Sequence, residues 1–370
     1  MVDREGERSM AERRILNLGI DLGTSRSVIA CDNGVRTFIS SYVGYPKDAV
    51  SRRLMGKEIV FGEEAIKNRL ALNMRRPFEK GMIKYSNYLH DKPEEFRQHK
   101  ETARHLLEHL VFLARREEPD DCHIRAVVGA PALASTQNRK SLLEITNGII
   151  HDVMITSEPF AVAYGLGILT NALIIDIGAG TVDLCRMQGT IPTEDDQITL
   201  TKAGDYIDEV LLGLIKERHK GVDVTLNMIK RMKEENSTIS DKGETVTATF
   251  PVHGKPTLLD VTEELRQACR AIVPETVEGI RTLVASFDPE FQDLLKQNII
   301  LAGGGSQIGG LAREIENYMR ENLGSGKVTK VEEPLYAGAN GGLMLCKDMP
   351  DEYWDELKST GKQPGASQGL

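Results

Sequence analysis

Between Leu173 and Asp183 the chain reads Leu-Ile-Ile-Asp-Ile-Gly-Ala-Gly-Thr-Val-Asp, an apolar run that meets a carboxylate and then a glycine-rich turn. An uninterrupted apolar run is what a strand covered on both faces requires. Gly178 and Gly180 let the backbone reverse sharply with its N–H groups turned toward an anion. Asp176, at the strand end, can hold a hydrated magnesium ion. The same device stands earlier as Leu18-Gly-Ile-Asp-Leu-Gly-Thr-Ser25, with Asp21 in the place of Asp176 and Thr24 in that of Thr181. A device used twice implies a duplicated α/β fold.

Asn298-Ile-Ile-Leu-Ala-Gly-Gly-Gly-Ser306 is a third buried strand, opening into Gly303, Gly304 and Gly305, where a planar base or ribose can lie against bare backbone. Three strand-to-glycine turns point at one nucleotide. In order, Ile20-Asp-Leu-Gly-Thr24, Ile175-Asp-Ile-Gly-Ala-Gly-Thr181 and Ala302-Gly-Gly-Gly-Ser306 resemble the superfamily of actin, heat-shock chaperone and sugar-kinase ATPases. Within it the chain is most similar to the bacterial actins. Among these it resembles the magnetosome-associated filament branch, through Val43-Gly-Tyr-Pro-Lys-Asp48, Ser157-Glu-Pro-Phe160 and Leu200-Thr-Lys-Ala-Gly204.

The resemblance implies a duplicated actin-like ATPase fold of the α/β class. Each of two lobes would hold a mixed sheet flanked by helices, with ATP and Mg2+ in the cleft between them. The first large subdomain is expected from residues 15–39, 77–165 and 336–358, with a small subdomain at 40–76. The second is expected from 166–206 and 259–335, with its small subdomain at 207–258. Residues 1–14 and 359–370 are expected to be disordered.

For the site, the resemblance puts Gly23, Thr24, Ser25, Gly178, Ala179, Gly180 and Thr181 at the phosphates, with Gly204 and Asp205 near the terminal one. Lys233 and Glu234 resemble a Lys-Glu pair that meets adenosine, beside Gly303, Gly304, Gly305 and Ser306; by composition alone the pair would be exposed helix residues. Attack of water on a terminal phosphate needs charge neutralisation, a metal and a group that orients the water. Asp21 and Asp176 answer to the metal. Glu158 matches the position where actins place a water-positioning side chain; its plainer role is a carboxylate favouring a helix N-terminus by about 0.3–1 kcal/mol.

Composition narrows the alternatives. With 46 basic against 55 acidic residues the chain carries a net charge of −9, which argues against a direct nucleic-acid partner. Its five scattered cysteines read as core residues of a reducing cytoplasm rather than a disulfide framework or zinc site. No apolar run approaches the roughly 18 residues of a membrane span, so no membrane insertion is expected. Residues 1–14 lack an apolar signal core.

Local patterns give further expectations. Ser27–Cys31 and Val35–Ile39 around Asn33-Gly34 predict a hairpin with a type I′ turn. Residues 101–116 predict an amphipathic helix with His105 and His109 on the surface, and Arg76-Pro-Phe-Glu-Lys-Gly-Met-Ile83 resembles the family's return strand. Asp260-Val-Thr-Glu263 predicts a capping box that opens one helix to Ala285, bent at Pro274. The small-residue stretch Tyr336–Met344 is expected as a helix crossing close to that at 160–166. Gln307 departs from the arginine of chaperone relatives, and Asn138 from a glutamate of rod-shape actins.

The implied function is an ATP-dependent cytoskeletal filament that polymerises with Mg-ATP, turns over by hydrolysis and positions magnetosomes in the cytoplasm. Its implied partners are copies of itself and magnetosome-associated proteins. A chaperone would need a substrate domain after the second crossing helix, and the remaining segment is too short for one. A small-molecule kinase or non-filamentous ATPase of the same superfamily stays as the alternative.

Overall fold

A computed structural model describes residues 14–79, 93–116, 118–240 and 245–360. The expected disordered ends, except residues 14, 359 and 360, and the second half of the expected return strand at 80–83 lie outside the described residues.

The first half runs β1 (Ile15–Leu22), β2 (Arg26–Cys31), β3 (Arg36–Ser40), β4 (Val43–Pro46), α1 (Ala49–Met55), β5 (Val60–Phe61), α2 (Gly62–Lys67) and β6 (Leu72–Arg75). It continues through α3 (Pro93–Arg115), β7 (His123–Ala130), α4 (Thr136–Thr146), β8 (Asp152–Ser157) and α5 (Glu158–Leu166). The second half holds β9 (Thr170–Ile177), β10 (Val182–Gln188), β11 (Gln197–Leu200), α6 (Gly204–Arg218), α7 (Leu226–Asn236), β12 (Thr247–Val252) and β13 (Lys255–Asp260). Then follow α8 (Thr262–Arg270), α9 (Val273–Ala285), α10 (Gln292–Lys296), β14 (Ile299–Ala302), α11 (Leu311–Leu323), β15 (Val328–Lys330), α12 (Ala337–Asp348) and α13 (Asp351–Thr360).

One five-stranded sheet has the order β3-β2-β1-β7-β8 and the other β11-β10-β9-β14-β15. In each, the first three strands of the sheet are antiparallel and the fourth and fifth run parallel to the first. Counted within its own sheet, in chain order, each is therefore 3-2-1-4-5. The duplication seen in two turns extends to whole sheets, and the carboxyl ends of the parallel strands, where ligands of open α/β sheets bind, bear the glycine turns.

Burial explains the strands. Leu173 to Ile175 and Ile299 to Ala302 are buried without a break, as a doubly covered sheet requires. One apolar core lies on each sheet, and a third, with Val127, Phe160, Ile174, Ile300 and Trp354, joins the two halves. Here α12 meets two elements backbone to backbone: a Cβ at Gly341 would sit 1.8 Å from Ala161 O of α5, and one at Gly19 of β1 would sit 1.9 Å from Ala339 O. The outer elements form two small sheets, β5-β4-β6 and the β12-β13 hairpin. Among the described residues no helix is long and apolar enough to cross a membrane, and all five cysteines are buried free thiols.

Three local expectations are corrected. The turn after β2 is not type I′, because Gly34 alone has positive φ while Asn33 does not. Gly34 N donates to Cys31 O and Cys31 N to Val35 O, a three-residue loop ended by a glycine in the left-handed region. The helix expected to run to Ala285 is two, α8 and α9, with Pro274 in the first turn of the second, where its missing N–H costs nothing. Its start has no capping box: Asp260 Oδ1 accepts from Thr262 N and Oγ1, and Glu263 instead pairs with Arg266. Finally, α3 starts at Pro93, and His105 and His109 are half-buried rather than on an open surface. His105 Nδ1 lies 3.1 Å from Tyr45 Oη, and the His109 ring stacks on Phe61 at 4.2 Å, so both carry the small sheet of the first half.

Candidate functional site

The carboxyl edges of the two sheets face each other across a cleft of about 530 Å³. The turn after β1 brings Asp21, Gly23, Thr24 and Ser25 to one wall, and that after β9 brings Asp176, Gly178, Ala179, Gly180 and Thr181 to the other. The walls are close: a Cβ at Gly180 would lie 2.6 Å from Thr24 Oγ1. Only bare backbone fits there, which is the requirement for a cradle of N–H groups around phosphate.

The two threonine hydroxyls of these turns are spent inside the protein, while Ser25 also lines the cleft. Thr24 Oγ1 donates to Phe78 O at 3.0 Å, and Thr181 Oγ1 donates to Asp183 Oδ2 at 2.7 Å. The turns therefore offer an anion their backbone amides. Gly204 and Asp205, at the start of α6, join the same cradle through Gly204 N to Gly178 O and Asp205 N to Ala179 O.

Gly303, Gly304 and Gly305 follow β14 and line the far end of the cleft. A Cβ at Gly303 would sit 2.3 Å from Asp176 Oδ1, and one at Gly305 2.2 Å from Ile177 Cγ2, so the second and third turns pack against each other. Ser306, expected at the nucleotide, is instead buried, with its hydroxyl donating to Gly303 O at 2.7 Å. It holds the turn's shape and is not part of the wall.

Lys233 and Glu234 reach the cleft from α7 but are already engaged. Lys233 Nζ donates to Gly204 O at 2.7 Å and pairs with Asp208 at 2.7 Å, fastening α7 to the Gly204 turn. Glu234 pairs with Arg26 at 3.0 Å, and Arg76 with Asp205 at 3.2 Å, so two ion pairs cross from one half to the other.

Glu158, at the first position of α5, is buried on this wall and packs over Gly129, where a Cβ would lie 2.9 Å from its Cγ. Nearby, Asp183 is wholly buried; burial first, and then the charge of Glu158, push its carboxyl up to about 6.

The donor set fits magnesium bound together with phosphate. Among the described residues no three His, Cys, Asp or Glu side chains converge on one metal position. Asp21 and Asp176 remain, and two carboxylates completed by phosphate oxygens and water are the set that Mg2+ accepts at nucleotide sites.

Several wall residues had no sequence assignment. Arg26 follows Ser25 directly and could have been read from its place beside the turn. Lys230 stands one helical turn before Lys233 on the same face. Its ammonium is buried without a hydrogen-bond partner, and burial, then Arg76, hold its pKa below the ordinary lysine value. Asp183 had a signal too, a carboxylate inside the apolar strand β10.

Comparison with known proteins agrees with this geometry. The MreB/Mbl protein family model matches residues 15–352. The chain is 41% identical over 353 residues to the actin-like protein MamK of Magnetospirillum gryphiswaldense, covering 95% of this chain and 94% of that one. It is likewise 41% identical to MamK of Paramagnetospirillum magneticum, covering 98% of that protein. Among solved structures, a MamK double helical filament matches at a TM-score of 0.85 with 41% identity, over 91% of this chain and 100% of that one. A non-polymerising MamK mutant bound to AMPPNP matches at 0.67 with 40% identity, over 91% and 100% of the two chains.

Proposed function

Because the chain belongs to the MreB/Mbl family of bacterial actin-like proteins, we propose that it binds Mg-ATP in this cleft, assembles with copies of itself while the triphosphate is bound, and loses the polymer through hydrolysis. The supporting observation is the close approach of the two phosphate turns, where Gly180 lies against Thr24 and has no room for a side chain of its own. The AMPPNP-bound relative supports the nucleotide, and the filament relative supports self-assembly.

In this mechanism the amides of residues 23–25 and 179–181 hold phosphate oxygens, while Gly178 N closes its own turn onto Thr181 O, and Asp21 and Asp176 would hold the magnesium ion. When bound, that ion neutralises phosphate charge. Gly303 to Gly305 give the base or ribose a flat seat, and the Arg26–Glu234 pair stands at the cleft wall. Glu158, poised at the strand-to-helix corner, accepts a hydrogen bond from the attacking water and orients it. The proposed partners are further copies of the chain and magnetosome-associated proteins, so that the polymer positions magnetosomes along their chain.

The test is sedimentation of purified protein with Mg-ATP, with Mg-ADP and without nucleotide. Polymer is expected in the pellet with Mg-ATP, together with slow phosphate release that rises with assembly. A nucleotide-binding monomer in every condition would favour the small-molecule kinase, and failure to bind nucleotide with magnesium present would overturn the cleft assignment itself.

A further inference from the structure

Deep under the cleft, one carboxylate joins the two halves. Asp183 Oδ1 accepts from Ala132 N at 2.8 Å and from Thr199 Oγ1 at 2.6 Å, while Oδ2 accepts from Thr181 Oγ1 at 2.7 Å. Thr199 Oγ1 in turn accepts from Leu133 N at 3.1 Å. Ala132 and Leu133 belong to the first half, just past β7 and next to the cleft residue Pro131; Asp183, Thr199 and Thr181 belong to the second.

Such a network has an unusual cost structure. Asp183 and Thr199 are buried, and an amide left unpaired there loses a full hydrogen bond, so the halves cannot turn at this point without breaking bonds that have no water to replace them. The same carboxylate fixes the rotamer of Thr181 in the second phosphate turn. Glu158 stands near enough for the two carboxylates to repel. One side chain thus touches the Ala132 backbone of one half and the phosphate turn of the other, and it neighbours the proposed water-orienting group.

We propose that Asp183 is a positioning residue for hydrolysis: with Thr199 it ties the Ala132–Leu133 backbone to Thr181, so that the angle between the halves sets where Glu158 stands relative to the terminal phosphate. This rests on the ATPase assignment above. It assigns to Asp183 and Thr199 a role in turnover, with no contact to the nucleotide. A polymer that fixes the angle between halves would then fix the hydrolytic geometry, which gives a physical route from assembly to phosphate release.

The experiment compares Thr199→Val, Asp183→Asn and parent for nucleotide affinity, melting temperature, and phosphate release per subunit in assembled and unassembled protein. Thr199→Val removes the acceptor for Leu133 N and one donor to Asp183 but leaves Thr181 bonded. Asp183→Asn keeps an acceptor for Ala132 N while placing an amide against the Thr181 hydroxyl. Both variants are expected to bind nucleotide much as parent does, yet release phosphate in the polymer about 10²-fold more slowly, the usual effect of a small misplacement of reacting groups. The stimulation of hydrolysis by assembly should shrink, and Thr199→Ser should restore it, since the hydroxyl returns. A merely structural role would lower the melting temperature and leave that stimulation at the parent value. Parent-like stimulation in both folded variants overturns the inference while the ATPase assignment stands. A parent that neither binds nor hydrolyses ATP overturns both.

Discussion

After the fourth strand of each sheet, the two halves of the molecule part company. In the second half, β14 opens into Gly303, Gly304 and Gly305, and the space above them is left for a ligand. In the first, β7 ends in Ala130-Pro131-Ala132, whose backbone is bonded to Asp183 of the other half. The scaffold is the same 3-2-1-4-5 sheet. One copy keeps its fourth turn bare at the cleft, where the proposed function seats a nucleotide, and the other closes it onto its twin. The fifth strands differ as well, since β8 leads directly to Glu158 while β15 brings no carboxylate to the cleft wall. On the proposed function, a duplicated fold would in this way split binding from turnover: the second half lines most of the cleft, and the first would supply the group that orients water.

The split can be broken most sharply at Glu158. Glu158→Ala is expected to slow phosphate release in the polymer by about 10² to 10⁴, the worth of one positioned acid–base group, while nucleotide affinity stays near that of the parent. Equal losses of affinity and turnover would erase the distinction. Asp176→Ala should act the other way round. Its Mg-nucleotide affinity should fall by about 10²-fold, the upper range for one charged contact, as read by titration with a fluorescent ATP analogue.

The glycine seat gives a smaller and more local contrast. Gly305→Ala places a Cβ 2.2 Å from Ile177 Cγ2, and overpacking of this kind costs about 1–3 kcal/mol. Gly304→Ala meets nothing within 4 Å and should melt like the parent. Thermal melts of the two variants separate a packed turn from an open one, and parent-like melting of Gly305→Ala would contradict the packing described.

The smallest expected effect concerns the small sheet of the first half, which rests on His105 and His109. Burial first, and then the charge of Lys57, hold the His109 imidazole below its ordinary value. The unfolded chain binds that proton at the ordinary histidine value of about 6.5, so the folded state is favoured above it and loses stability as pH falls through it. The parent should therefore lose more melting temperature on acidification than His109→Leu. Identical pH profiles would remove the titrating ring from the account.

Much of the site was legible because its chemistry is written in short range. Asp21, Asp176 and the glycines stand at the ends of apolar runs that mark the strands themselves, so chain order alone places them at the carboxyl ends. Much of what escaped depends on partners distant in sequence. Nothing local tells that Thr24 donates its proton to Phe78 O or that Lys233 fastens Gly204; the short-range turns of Ser306 onto Gly303 O and of Thr181 onto Asp183 depend on rotamers that spacing does not specify. Similarly, His105 and His109 look like surface residues on an amphipathic helix until β4 and β5 arrive to cover them. The break between α8 and α9 was misjudged for a different reason: a proline that kinks a helix interior is equally at home in a first turn, and spacing alone does not choose.

The division of labour is tested most directly by the nucleotide inside the polymer. Parent and Glu158→Ala filaments, assembled from ATP, would be pelleted after equal times and their bound nucleotide extracted and resolved. The parent polymer is predicted to hold mainly diphosphate, and the Glu158→Ala polymer to form as readily and retain the triphosphate. Diphosphate in the mutant polymer at the parent's proportion would contradict the account and return Glu158 to a helix-capping role.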